Sequence, residues 1–142
     1  MTDPQEFKVA VLGCSGIGRL VSTVVRQAVY MIAKDRPDEV EIVGSGPLTG
    51  NVPGALETAR KCPLIVIDGC RPKCATAIAE GKNLDIAAAI WVAEVAAKHK
   101  LSIAGEKRTE LSEKGMALAR AVADEAIARI DLIVAEEAMS TL

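Results

Sequence analysis

Three short aliphatic runs lie along the first half of this 142-residue chain, and a segment with helical character follows each of them. In the first such segment, which starts at Ile17, the apolar positions recur with spacing three and four, as one face of a helix requires. The resulting order β-α-β-α-β-α predicts a mostly parallel sheet with helices on both faces. Right-handed crossovers would then place the first strand in the centre, between the second and the third.

The runs also predict where each element begins and ends. We predict strands at 7–13, 39–43 and 63–68, and helices from Ile17 to the break at 35–38 and over 54–61, 72–80, 84–99 and 109–138. The segment 101–105 predicts a short fourth strand. We therefore expect one α/β domain over residues 1–142, a three-layer, Rossmann-like sandwich of three to four strands with a helical C-terminal half.

The four cysteines divide between the two edges of this predicted sheet. Cys14 directly follows the first strand, Cys70 follows the third strand, and Cys74 lies one helical turn further on. Because the carboxyl ends of parallel strands share one edge, where such sheets bind ligands, these three thiols should lie close together. Cys62 precedes the third strand, and extended chain would put it roughly 20 Å from Cys70, at the opposite edge. Zinc ligands must lie about 2.3 Å from a shared metal, so Cys62 is expected to lie outside the site.

The segment after the third strand reads DGCRPKC and predicts a chemically active turn. Pro72 suits the first position of a helix, which would put Cys74 in the first turn. A helix N-terminus and neighbouring cations such as Arg71 and Lys73 favour the thiolate form of a cysteine. Asp68 could orient a thiol, accept a backbone N–H as a cap, or ligate a metal, and the residues alone leave these roles open.

The loop after the first strand reads GCSGIG, and its backbone N–H groups are expected to form a cradle for an anion. The loop is not a dinucleotide fingerprint, because no acidic residue ends the second strand, which stops at 43–44. It is not a protein-phosphatase loop either, because Leu20 stands where that loop carries arginine. A cysteine in such a cradle with an arginine nearby, here Arg19, is a candidate reactive thiol, and Cys14 meets this description.

Three short motifs in this order resemble the DGC-domain family, small proteins usually described as zinc-binding. They are Cys14-Ser15-Gly16, Asp68-Gly69-Cys70 and Cys74-Ala75, and the resemblance covers residues 7–80. The family pattern also has a cysteine at the end of the second strand, where this chain reads Gly44-Ser45-Gly46.

The resemblance implies zinc as the cofactor, with Cys14, Cys70 and Cys74 as ligands. Asp68, a water or a substrate would take the fourth position. Three protein ligands and an open position are typical of a catalytic zinc site rather than a closed structural one. The partners expected from this interpretation are a metal ion and a small anionic or thiol ligand.

Other functions stay open at this point, and the sequence decides neither a substrate nor whether the protein is an enzyme. In a thiol redox or sulfur-transfer enzyme, Cys14 would attack and Cys70 or Cys74 would resolve the intermediate as a disulfide. An iron–sulfur or other soft-metal carrier fits less well, because the usual clusters take four cysteines. The cysteines could also be core residues of a module that binds a protein partner.

Composition excludes several classes of protein. Three aromatic residues and a formal charge of −2 argue against a nucleic-acid partner. No apolar run approaches the ~20 residues that cross a bilayer, and the polar start MTDPQEF does not resemble a secretory signal. We therefore expect a cytoplasmic protein without a membrane partner, in a compartment that keeps thiols reduced. The Ala-rich stripe at 86–97 suits either a homodimer seam or packing within the chain.

Overall fold

A computed structural model of the protein describes residues 7–14 and 16–142. What the sequence predicts for the segment 1–6 and for Ser15 lies outside the described residues. The elements, in chain order, are β1 Val9–Gly13, α1 Leu20–Asp35, β2 Val40–Val43, α2 Ser45–Thr49, α3 Pro53–Lys61, β3 Leu64–Asp68, α4 Cys74–Gly81, β4 Ile86–Trp91, α5 Val92–His99 and α6 Glu113–Ser140.

The four strands form one parallel sheet in the order β2-β1-β3-β4, which confirms the predicted α/β, Rossmann-like architecture. β1 lies between β2 and β3, as the handedness of the crossovers requires. Every residue of β3 is buried. Because helices cover both faces of such a strand, its sequence, LIVID, is apolar up to its last residue instead of alternating.

The core is aliphatic, and α1 and α6 pack against each other beside the sheet. The largest fully buried side chains include Leu12, Ile32, Leu118 and Ile130. Ion pairs also join α1 to α6, but exposed pairs of this kind contribute only about 0–1 kcal/mol each, so the buried aliphatic contacts dominate. Among the described helices, none is both long and apolar enough to cross a membrane.

Two predictions for the second half of the chain are wrong. The sequence predicts a helix over 84–99, but Ile86–Trp91 forms β4, which pairs with β3 as far as Asp68↔Trp91. Helix propensity is a weak preference, and hydrogen bonding to the open edge of β3 outweighs it in this Ala-rich run. The predicted strand at 101–105 is a loop. The stripe at 86–97 is therefore divided between β4 and α5, so it does not form one helical seam.

Candidate functional site

Three of the four cysteines lie at the carboxyl edge of the sheet. Cys14 follows β1, Cys70 follows β3, and Cys74 is the first residue of α4. β1 and β3 are neighbours, and the chain continues from β1 to β2 on one side of this pair and from β3 to β4 on the other. In open α/β sheets, this change of direction leaves a crevice between the loops that follow the two strands, and ligands bind there. Cys62 lies between α3 and the amino end of β3, so it is at the opposite edge, as the sequence predicts.

Cys14 is a buried thiol that joins the loops after β1 and β3. Its side chain is 5% exposed, and its Sγ accepts a hydrogen bond from the backbone N–H of Gly69 at 3.1 Å. Burial raises the pKa of the Cys14 thiol above its ordinary value, and the bond from Gly69 opposes this shift. α1 begins at Leu20, six residues after Cys14. The role of Cys14 as a reactive thiol stays a prediction.

Gly69 allows α1 to approach the cysteine loop closely. A Cβ at this position would lie 3.1 Å from the carbonyl oxygen of Val21 and 3.2 Å from Cγ2 of Val25. These contacts are shorter than ordinary van der Waals distances, and one of them is to backbone, which cannot rotate away. The glycine is therefore required by close packing between α1 and the loop that contains Cys70.

Cys70 and Cys74 form a pair of thiols in contact. Their Sγ atoms lie 3.8 Å apart, and Cys70 is buried whereas Cys74 is exposed. The hydrogen bond between them raises the pKa of the Cys74 thiol, and desolvation adds to the shift. The sequence predicts helix from Pro72, but α4 begins at Cys74, after Lys73 adopts a left-handed backbone with φ 51°.

The Asp68 carboxylate holds the N-terminus of α4. Asp68 is 1% exposed; its Oδ1 accepts the N–H groups of Ala75 at 2.9 Å and Thr76 at 3.2 Å, and its Oδ2 accepts the Thr76 hydroxyl at 2.5 Å. A carboxylate at a helix N-terminus is stabilised by these donors and by the helix dipole. Of the three roles open from the sequence, this geometry favours the cap, and a role as zinc ligand stays a prediction.

Trp91 and Lys73 belong to the same edge, and sequence reasoning did not bring them together. Trp91 ends β4 opposite Asp68, and the Nζ of Lys73 lies 4.6 Å from the centroid of its ring. The indole N–H of Trp91 is buried and has no hydrogen-bond partner among the described residues. Only the pairing of β4 with β3 places this tryptophan beside the cysteines, and no motif in the sequence marks it.

Zinc fits these residues in part. Zn–S bonds of about 2.3 Å at tetrahedral angles hold two thiolates about 3.8 Å apart, which is the distance between Cys70 and Cys74. The Cys14 sulfur accepts a hydrogen bond from the backbone N–H of Gly69. In the part of the chain that the structure describes, no group of three or more His, Cys, Asp or Glu residues is arranged to hold a metal ion. The pair thus fits two positions of a tetrahedral site.

Comparison with known proteins relates the chain to a protein family. A family model described as DGC domain matches residues 10–125. This match extends well beyond residue 80 and includes β4, α5 and the first part of α6. No curated protein and no solved structure matches the chain significantly.

Proposed function

Because the chain belongs to the DGC-domain family, we propose that it binds one zinc ion at the carboxyl edge of its sheet, with Cys70 and Cys74 as the first two ligands. The observation that supports this most is the 3.8 Å separation of their Sγ atoms, which matches two thiolates on one zinc. The thiols need little rearrangement to take up such an ion, because α4 already holds Cys74 against Cys70.

Cys14 is the third ligand in this proposal. Its sulfur already contacts the backbone of Gly69, the residue before Cys70, so it lies next to the pair. Cys14 would exchange this hydrogen bond for the metal. The fourth position is then left for water or a small exogenous ligand, because the Asp68 carboxylate accepts three hydrogen bonds at the start of α4.

The thiol pKa values give the proposed site a pH dependence. Burial raises the pKa of Cys14, and the bond to Cys70 raises the pKa of Cys74, each above an ordinary value of 9.0, so both are protonated at neutral pH. Thiols lose their protons when they ligate a metal. The zinc affinity should therefore increase as the pH rises from about 6 to 8.

The test is metal stoichiometry in protein purified under reducing conditions and supplied with zinc. We expect about one equivalent in the wild type, and a loss of binding in Cys70→Ser and in Cys74→Ser. Cys62→Ser is the matched control, since Cys62 lies at the opposite edge and should leave the stoichiometry unchanged. A wild-type protein that binds no zinc would contradict the proposal, and so would loss of binding in Cys62→Ser alone.

The same sulfur contact favours a second function, in which Cys70 and Cys74 are a redox pair. The exposed Cys74 would attack the disulfide of a low-molecular-weight oxidant such as oxidised glutathione and release one thiolate. Cys70 would then attack the mixed disulfide, release the second thiolate and complete a two-electron oxidation of the protein. Cys14, the nucleophile expected from the sequence, suits this role less, because it is buried, whereas Cys74 is exposed to an oxidant.

Mass spectrometry of the peptide that contains Cys70 and Cys74 tests this second function. After treatment with oxidised glutathione, an intramolecular disulfide should appear and disappear again with a reducing agent. A pair that stays reduced, or stops at the mixed disulfide with glutathione, contradicts it. Both functions need reduced thiols at rest, and we propose the cytoplasm as the compartment that supplies them.

A further inference from the structure

We propose that a small oxyanion, such as a molecule with a carboxylate group, binds beside the Cys70–Cys74 pair. Arg71 and Lys73 attract this anion, and the indole N–H of Trp91 donates a hydrogen bond to it. The inference rests on the proposed function for the location of the site, because the anion would lie beside the same two thiols. Its test uses metal-free protein, so the zinc proposal and this one can fail separately.

Arg71 and Lys73 lie between the two cysteines and are both exposed. Among the described residues, neither Arg71 nor Lys73 forms an ion pair. The Nζ of Lys73 lies 4.6 Å from the centroid of the Trp91 ring, at the end of β4. Two positive charges are therefore adjacent to the two thiols in the chain, and one of them has a defined position over the Trp91 ring.

The acids near this edge do not neutralise these two cations. Asp68 is buried and directs its carboxylate to three donors at the start of α4. Glu106 accepts hydrogen bonds from Ser112 and from the backbone at the start of α6. Glu94 and Glu110 are exposed, and neither forms an ion pair with Arg71 or Lys73. Arg71 and Lys73 are thus available to a negatively charged ligand.

The indole N–H of Trp91 is a second and independent observation. This donor is buried and has no hydrogen-bond partner among the described residues, although buried donors are almost always paired. An indole N–H can only donate, so the partner that it lacks is an acceptor. An oxyanion beside Lys73 supplies both the acceptor atom for the indole and the negative charge for the ammonium group.

Alkylation by iodoacetate and by iodoacetamide measures recruitment of an anion directly, because the two reagents differ in charge and react with the same thiolate. Peptide mass spectrometry gives the ratio of the two rates at Cys74 and at Cys62 in one sample. Cys62 is an internal reference: burial raises the pKa of its thiol, and charges of both signs lie near it, since Lys61 lowers that pKa and Glu41 raises it. The ratio at Cys74 should be about ten-fold higher than at Cys62.

Removing single charges should reduce this ratio in steps. A unit charge roughly 6 Å from an anion in water changes a rate by about three-fold, so Arg71→Gln and Lys73→Gln should each lower the ratio at Cys74 by that factor. About 1 M salt should abolish the excess. Lys82→Gln, at the far end of α4, is the matched control and should leave the ratio unchanged. Equal ratios at the two cysteines, or no change in both glutamine variants, would overturn recruitment by these cations.

Trp91 is the only tryptophan in the chain, so its fluorescence reports on the second half of the proposal. Titration with inorganic sulfate as the probe oxyanion should change the Trp91 emission with saturation, and Lys73→Gln should need several-fold more sulfate. A matched titration with sodium chloride accounts for ionic strength. An emission that sulfate and chloride affect equally would overturn the proposed contact with the indole.

Discussion

Replacing Asp68 with alanine tests whether the buried carboxylate positions the cysteine pair through α4. The change removes two backbone hydrogen bonds and one from the Thr76 hydroxyl. Loss of an N-terminal cap costs about 1 kcal/mol, and each net hydrogen bond to a charged group contributes about 1.5–3 kcal/mol. Part of this is recovered, because the variant no longer buries a charge. We expect a loss of about 2–4 kcal/mol in the free energy of unfolding.

Urea denaturation followed by circular dichroism measures this loss. With a slope of about 2 kcal/mol/M, the midpoint should fall by about 1–2 M. Asp68→Asn keeps the acceptor for the two N–H groups and should lose clearly less than Asp68→Ala. Asp85→Ala removes an exposed aspartate between α4 and β4 and should change the stability by no more than about 0.5 kcal/mol. An effect of Asp68→Ala within that same range would refute the role of the cap.

The cysteine pair provides a second measurement on the same variants. The bond from Cys70 raises the pKa of Cys74, and this contact depends on the first turn of α4. In Asp68→Ala the turn should fray and the pKa of Cys74 should fall towards its ordinary value, which the pH dependence of alkylation at Cys74 reports. Asp68→Asn should keep most of the shift. A Cys74 titration that is the same in Asp68→Ala and in the wild type would show that the cap does not set the sulfur contact.

Two further predictions concern close packing and pH. Gly69→Ala should lower the free energy of unfolding by about 1–3 kcal/mol in urea denaturation, because its Cβ would lie 3.1 Å from a backbone oxygen of α1. In the control Gly54→Ala, in α3, the new Cβ meets nothing within 4 Å, so this variant should be neutral or stabilising. Equal stability of Gly69→Ala and the wild type would contradict the packing argument. The Ser112 hydroxyl bond, together with two backbone bonds, lowers the pKa of Glu106 below its ordinary value of 4.5. This carboxylate therefore stabilises the fold above that value, and the contribution is lost as the pH falls through the lower, folded pKa. In the wild type the urea midpoint should fall below about pH 4.5, and in Glu106→Gln it should fall less steeply. The exposed control Glu57→Gln should follow the wild type. Parallel plots of urea midpoint against pH for all three proteins would argue against a stabilising role of Glu106 at the start of α6.

Periodicity and strand direction in the sequence are enough to predict the arrangement of the first three strands. Apolar runs predict β1, β2 and β3 within one or two residues of their bounds, and the handedness of crossovers predicts that β1 is central. The same reasoning predicts which edge each cysteine occupies, because position relative to a strand end is a local property of the chain. Cys62 is separated from the other three on this basis alone.

Only the tertiary structure decides β4 and the chemistry of the site. The run Ile86–Trp91 is ambiguous by itself, and it becomes a strand because the open edge of β3 offers it hydrogen bonds. Trp91 reaches the cysteines for that reason. Burial then raises the pKa of Cys14, hydrogen bonds hold Asp68 to the start of α4, and Cys70 lies within 3.8 Å of Cys74. A sequence pattern records which residues are present near a strand end, but desolvation and hydrogen bonding depend on every element packed around them.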